Sequence, residues 1–335
     1  MHETIYVEKE IASHRRTLQF LQRFRSPRII SCDNYQEIFN RRNQSFREQK
    51  KSPAWIVAKK HGALVHSIPK DFAIGGENNY YFSHVLNCPY DCTYCFLQGM
   101  YSSAYYVFFI NFEEVQAEIE RKSPAHFFSG YDGDSLALEP KTHFLQEFLP
   151  FFASCPENLL EIRTKSLYVR PFMHLSPIKN VVIAWSLNPQ NIVSSLEKKT
   201  PSLEKRLDAA QTMQKRGWKI GLRFDPVIFQ DNFQETTRAF FAQVFAKINA
   251  KLVHSATLGA FRLPVSFRKQ MEKNVANKKI LAHVQGKGNE LVYENASELL
   301  DFSEKELGKY LSKKQLFRMD GNQESGLVNQ KKRVN

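Results

Sequence analysis

Cysteine is scarce in this chain, with five among 335 residues. That is too few to staple a small secreted scaffold, and three of the five, Cys88, Cys92 and Cys95, crowd one short stretch. In a reducing compartment such crowding points to metal or redox chemistry. Glycine and proline are also sparse, at 14 each, which excludes collagen-like and low-complexity chains. No apolar stretch approaches the roughly 20 residues that span a bilayer. The opening MHETIYVEKE shows no basic region followed by an apolar core, the pattern of a secretory signal. The expectation is a cytoplasmic protein with no membrane partner. Hydrophobic residues at 42% against 24% charged describe a globular chain, not a disordered one.

Acidic residues are outnumbered, 34 to 47, for a net charge of +13. Residues 1–79 carry 14 basic and 8 acidic side chains, residues 80–267 carry 19 and 17, and residues 268–335 carry 14 and 9. The middle is nearly neutral and the flanks hold the excess. A polyanionic partner such as nucleic acid fits this distribution. A merely soluble basic surface fits it equally well.

The middle alternates short apolar runs with amphipathic stretches. Strands are expected at 80–86, 125–129, 159–164, 181–186, 219–224 and 255–258, and helices at 112–121, 142–153, 202–216 and 234–249. Ser202 is a candidate N-cap and Gly217 stands where a C′ glycine belongs. Between 165 and 179 the pattern leaves room for a short helix only. Six βα units in series predict an α/β fold with a parallel sheet, either open or curled into a partial barrel, and reactive groups at the C-terminal strand ends. Three segments are expected: a mixed α/β lead-in over 1–79 with a polar basic helix around 35–50, a barrel over 80–267, and a basic extension over 268–335. The extension reads as helix and hairpin and ends in the polar GNQESGLVNQKKRVN.

Directly after the first expected strand comes NCPYDCTYCFLQG, in which Cys88, Cys92 and Cys95 form CxxxCxxC. Three thiolates on one loop can ligate three irons of a [4Fe–4S] cube, and a fourth nearby cysteine would close the site. None is present, so one iron stays open to an external ligand. A structural zinc site takes four protein ligands, often as paired CxxC arms, and no second arm follows.

This motif, with the aromatic Tyr94 just before its third cysteine, resembles that of the radical S-adenosylmethionine (SAM) enzymes. Further segments in order resemble spore photoproduct lyase and its relatives: CTYCFLQ, DSLALEPKT, LEIRTKS, AWSLNP and GWKIGLRFDPVI, with EIFNRRNQSFREQK in the lead-in. The resemblance implies a partial (β/α)6 barrel of the radical SAM type. It also implies SAM chelating the open iron, a reducing partner of the flavodoxin or ferredoxin type, and a 5′-deoxyadenosyl radical that abstracts hydrogen. By the same resemblance Tyr94 packs along the adenosyl group, Lys165 reaches the SAM carboxylate, Ser186 bonds the ribose, and Asp134 orients the amino group. Asp134 has capping of the next helix as a rival role, and Asn188 reads as another cap. Arg223 and Asp225 end the fifth strand, where one contacts SAM or a substrate phosphate, or the two pair structurally.

Three departures stand beside these matches. Tyr131 occupies the place of the lyase cysteine that returns a hydrogen atom, and a phenol is the poorer donor. Gly133 stands where the lyases have a serine that helps hold SAM, and Phe96 replaces a tyrosine of the lyase radical relay. Cys155 is a conceivable substitute thiol, with a buried structural role as its rival. These departures point to a lyase-like protein with another substrate. Three readings follow: a radical SAM enzyme on a thymine lesion or modified base in nucleic acid, one on a small molecule or peptide, or a non-catalytic Fe–S or zinc protein.

Overall fold

The structure, a computed structural model, describes residues 3–275 and 278–319; the expected polar tail lies outside them. Six parallel strands run side by side in chain order: Asn79–Phe82, His126–Ser129, Leu159–Thr164, Val181–Ser186, Lys219–Val227 and Val253–Ala260. Leu316–Met319 adds a parallel strand at one edge and Val65–Ser67 an antiparallel strand at the other. The sheet curls into the expected partial barrel, with helices packed on its outside.

Local chemistry explains the helices. Ser202 accepts the backbone N–H of Lys205 and starts Leu203–Lys215, and Gly217 follows at φ +88°. Phe112–Arg121 carries Glu113 and Glu114 in its first turn, where the helix dipole favours them. Phe144–Ser154 buries Phe144, Leu145, Phe148, Leu149 and Phe152 against the sheet. The 165–179 link holds only the short turn Arg170–His174. Among the described residues no helix is long and apolar enough to cross a membrane.

Two expected elements are broken. The run 80–86 splits after Phe82, and Val85–Leu86 leaves the barrel to pair with Tyr106–Phe109. The lead-in helix divides into Tyr35–Phe39 and Phe46–Lys51, capped by Asn34 and Ser45, with Asn43 between them at φ +59°. The lead-in builds its own sheet, in the order Arg28–Cys32, Thr4–Glu8, Trp55–Ala58, Tyr106–Phe109, Val85–Leu86. Two of those strands come from beyond residue 79, so the sheets are interleaved in the chain. The extension contributes the helix Arg268–Asn274, the hairpin Val284–Lys287 with Glu290–Tyr293, and the helix Ala296–Leu307. Phe267 and Met271 join Cys92 and Tyr94 in one buried cluster, so this segment packs over the cysteine loop.

Candidate active site

The cysteine loop leaves the C-terminal end of the first barrel strand and is fastened from four directions. Asn87, at φ +70°, donates its side-chain amide to the Ser103 and Tyr105 carbonyls at 2.8 and 2.7 Å. Asp91 accepts two bonds from Arg47 at 2.8 and 2.9 Å. Lys50, almost fully buried, donates to the Cys88 carbonyl at 2.5 Å. Asp91–Cys92 also pairs antiparallel with Glu197–Lys198, while Asn274 donates to the Gln98 carbonyl at 2.7 Å.

All three cysteines line one cavity of about 160 Å³, together with Tyr94, Tyr131, Asp134, Lys165 and Ser186. Its wall is built from the cysteine loop and the ends of the next three barrel strands, where an α/β fold places its reactive groups. A second chamber of about 380 Å³ adjoins it, and Tyr94, Tyr131, Arg163 and Lys165 line both.

Tyr94 donates its phenol proton to Glu197, which also accepts Asn188 at 3.0 Å and ion-pairs with Arg206. The Lys165 ammonium lies 5.7 Å from the Tyr94 ring centre. Burial favours a neutral Glu197, but Lys165 and Arg206 beside it hold its carboxyl below the usual range. Neither Glu197 nor Arg206 carries a signal in the motifs; only the pairing with the cysteine loop exposes their role. Asn188, expected as a cap, is instead part of this network.

Ser186 faces the cavity, and its carbonyl accepts Arg206 at 3.1 Å. Asp134 is on the wall, but its oxygens already hold the N–H groups of Leu136, Ala137 and Lys165 and the Thr164 hydroxyl. It ties the second strand's loop to the end of the third; it does not cap the next helix, Glu139–Thr142, whose N-cap is Leu138 with no side-chain bond. Tyr131 stacks on Tyr81 at 4.3 Å between ring centres and leans on Phe96 at 5.4 Å. At Gly133 a Cβ would stand 2.7 Å from the Asn87 carbonyl oxygen, so the serine found there in the lyases has no room.

Arg223 corrects the sequence expectation. Its side chain turns back into the barrel, where it is 2% exposed and grips Glu161 at 2.8 and 2.6 Å and Ser255 at 2.9 and 3.0 Å. Gly221 makes space for it, since a Cβ there would meet the guanidinium at 2.7 Å. Asp225 pairs with Arg262 at 3.6 Å instead. Two arginines line the larger cavity, Arg262, which Asp225 holds, and Arg163, which lines both cavities and which the motif reading passed over. Alternation along the strand could have found it, because Glu161, Arg163 and Lys165 share one face. Cys155 is also remote: its carbonyl accepts Asn180, just before the fourth strand, at the opposite rim of the barrel. It does not supply a thiol to this site.

Among the described residues no three His, Cys, Asp or Glu side chains converge on a single metal ion. A mononuclear zinc site needs that convergence, with sulfur about 2.3 Å from the metal. A cube takes one thiolate on each of three irons, and Cys88, Cys92 and Cys95, lining one cavity, can supply them. Burial pushes the Cys88 thiol up to about 12 and also raises Cys92 and Cys95. Such thiols ionise when a metal supplies the positive charge beside them. The residues present fit an iron–sulfur cluster.

The family model described as spore photoproduct lyase matches residues 73–288. Spore photoproduct lyase from Bacillus subtilis is 25% identical over 202 residues, covering 58% of this chain and 59% of that protein. The lyase from a Geobacillus strain is 23% identical over 155 residues, covering 44% and 46%. The chain therefore matches about half the length of these relatives. A solved spore photoproduct lyase variant superposes with a TM-score of 0.78 at 17% identity, covering 95% of this chain and 98% of that one. Another, with bound AdoMet and dinucleoside spore photoproduct, superposes at 0.79. At such identities the superpositions establish the shared fold. With well over half its length matched by the family model, the chain belongs to the spore photoproduct lyase family.

Proposed function

We propose that the chain is a radical SAM enzyme whose substrate is a nucleic-acid base or lesion. The observation that carries this reading is the two-chamber site: three cysteines and Lys165 line the smaller cavity, which opens past Tyr131 into a larger aromatic one. Cys88, Cys92 and Cys95 would hold a [4Fe–4S] cluster. Bound there, the cluster and SAM supply a reductively generated 5′-deoxyadenosyl radical.

The protein's own part is binding, orientation and exclusion of water. Lys165 offers its ammonium to the SAM carboxylate, a charge-assisted contact. Ser186 offers a hydroxyl to the ribose, and Tyr94, fixed by Glu197, presents its ring to the adenine side. Tyr131 stands where the chambers meet and is the candidate to return a hydrogen atom. A relative whose structure holds AdoMet and dinucleoside spore photoproduct supports the assignment of SAM and a thymine-type substrate. The positively charged flanks support a nucleic-acid partner, and a flavodoxin- or ferredoxin-type donor is the proposed reductant.

Anaerobic reconstitution with iron, sulfide, SAM and dithionite tests the reading. The expected outcome is a brown protein that forms 5′-deoxyadenosine, with colour and cleavage both lost in Cys95→Ala. Added UV-irradiated DNA should stimulate cleavage and yield altered thymines by mass spectrometry. An iron-free wild-type protein would refute the enzyme assignment. Full turnover in Tyr131→Phe would remove the phenol from the mechanism.

A further inference from the structure

Glu161, Arg163 and Lys165 alternate on the inner face of the strand Leu159–Thr164 and the residue that follows it. Glu161 is fully buried, yet two arginines converge on it. Arg223 binds it twice, and Arg163 donates from Nε at 2.6 Å. Burial works to neutralise this carboxyl, but Arg223 and Arg163 hold it well below the usual range. His126, 3.5 Å away, adds no negative charge. One carboxylate thus faces two guanidinium groups, and one positive charge is left over.

Among the other charged residues lining the larger chamber, Asp225 faces Arg262 and the Lys165 ammonium is drawn to the Glu197 carboxylate. Arg163 is left sharing its one carboxylate, Glu161, with Arg223. Its position is fixed on three sides: Nε by Glu161, the guanidinium plane by Phe128 at 4.8 Å, and the main-chain carbonyl by the Ser135 N–H at 3.1 Å. Its two Nη nitrogens have no acceptor among the described residues, and the side chain lines both cavities. A guanidinium held by Nε presents the remaining nitrogens as a rigid fork, the geometry that matches a phosphate or carboxylate.

We propose that Arg163 is the anion-binding residue of the larger chamber and takes a phosphodiester of the nucleic-acid substrate. The proposal rests on the function argued above and adds the group by which the substrate is held. The rest of the chamber suits a nucleotide. Its volume of about 380 Å³ is that of a small-ligand site. The stacked pair Tyr81 and Tyr131, and Phe72 under Arg262 at 4.1 Å, offer ring faces for bases. SAM also carries a carboxylate, so the test must separate the two anions.

The probes are thymidylyl-thymidine and its uncharged methylphosphonate analogue, titrated into the reconstituted, SAM-loaded protein. Wild type should bind the charged dinucleotide roughly ten-fold tighter than the neutral one, as expected for one charge-assisted contact. Arg163→Gln should bind both alike, and Arg163→Lys should restore part of the preference. SAM affinity and the cluster's absorbance should be the same in all three proteins. A preference that survives in Arg163→Gln overturns the proposal, as does a SAM affinity that falls ten-fold in that variant. If wild type cleaves SAM but binds neither dinucleotide, the nucleic-acid reading fails. Inorganic phosphate is then the probe: loss of its binding in Arg163→Gln upholds the anion site, and equal binding by wild type and variant overturns it.

Discussion

At the scale of single residues, the site is shaped by what is too close to move. Gly133 sits against the Asn87 carbonyl, and Asn87 is itself locked by two main-chain acceptors. The other near neighbour at Gly133 is the Val85 methyl, 3.1 Å from where a Cβ would stand, and neither is the free end of a flexible side chain, so an added Cβ must strain the cysteine loop. Gly133→Ser, which restores the residue of the lyases, should cost about 1–3 kcal/mol by overpacking. Chemical denaturation measures this, and equal stability would show that the loop yields. The resemblance explained here why a serine is expected, but only the geometry shows that this chain has no place for one. The gathering of Cys88, Cys92, Cys95, Lys165 and Ser186 at one cavity was legible because their motifs end or follow strands, and a strand end is visible in a sequence. Arg223 was misplaced because the sequence shows where a side chain starts and not where it bends.

At the scale of elements, the junction between Glu139–Thr142 and Phe144–Ser154 carries a pH-sensitive contact. Glu139 is 2% exposed, accepts the Leu145 N–H at 3.1 Å, and burial pushes its carboxyl up to about 8. A carboxyl raised in the folded state stabilises below its unfolded pKa and loses that contribution as pH rises through the folded one. Stability should therefore decline between about pH 5 and pH 8 through this group. Thermal melts of Glu139→Gln should show a shallower decline over that window, and an unchanged slope would place the dependence elsewhere. The six barrel strands were legible from their short apolar runs. The split of the lead-in helix was signalled by the polar stretch NRRNQS, yet its helical neighbours masked it. The migration of Val85–Leu86 into the other sheet was hidden, because periodicity does not tell a strand which partner it joins.

For the protein as a whole, charge gives the prediction. With a net +13 and its excess in the flanks, binding to single-stranded DNA should weaken steeply and linearly in log–log form as salt rises. Fluorescence anisotropy at several salt concentrations measures the slope. A flat response would assign the basic surface to solubility and favour a small-molecule or peptide substrate. The flanks were read from composition as extensions, but the structure shows them to be structural partners of the cysteine loop.

The loop's fastenings also bear on the order of assembly. Lys50 reaches it from the lead-in, Glu197 from the middle of the chain and Asn274 from beyond the last barrel strand. No local stretch can shape the cofactor pocket alone. On the proposed function, iron capture should thus come late, after distant parts of the polypeptide have met, and cluster colour would mark the completion of folding.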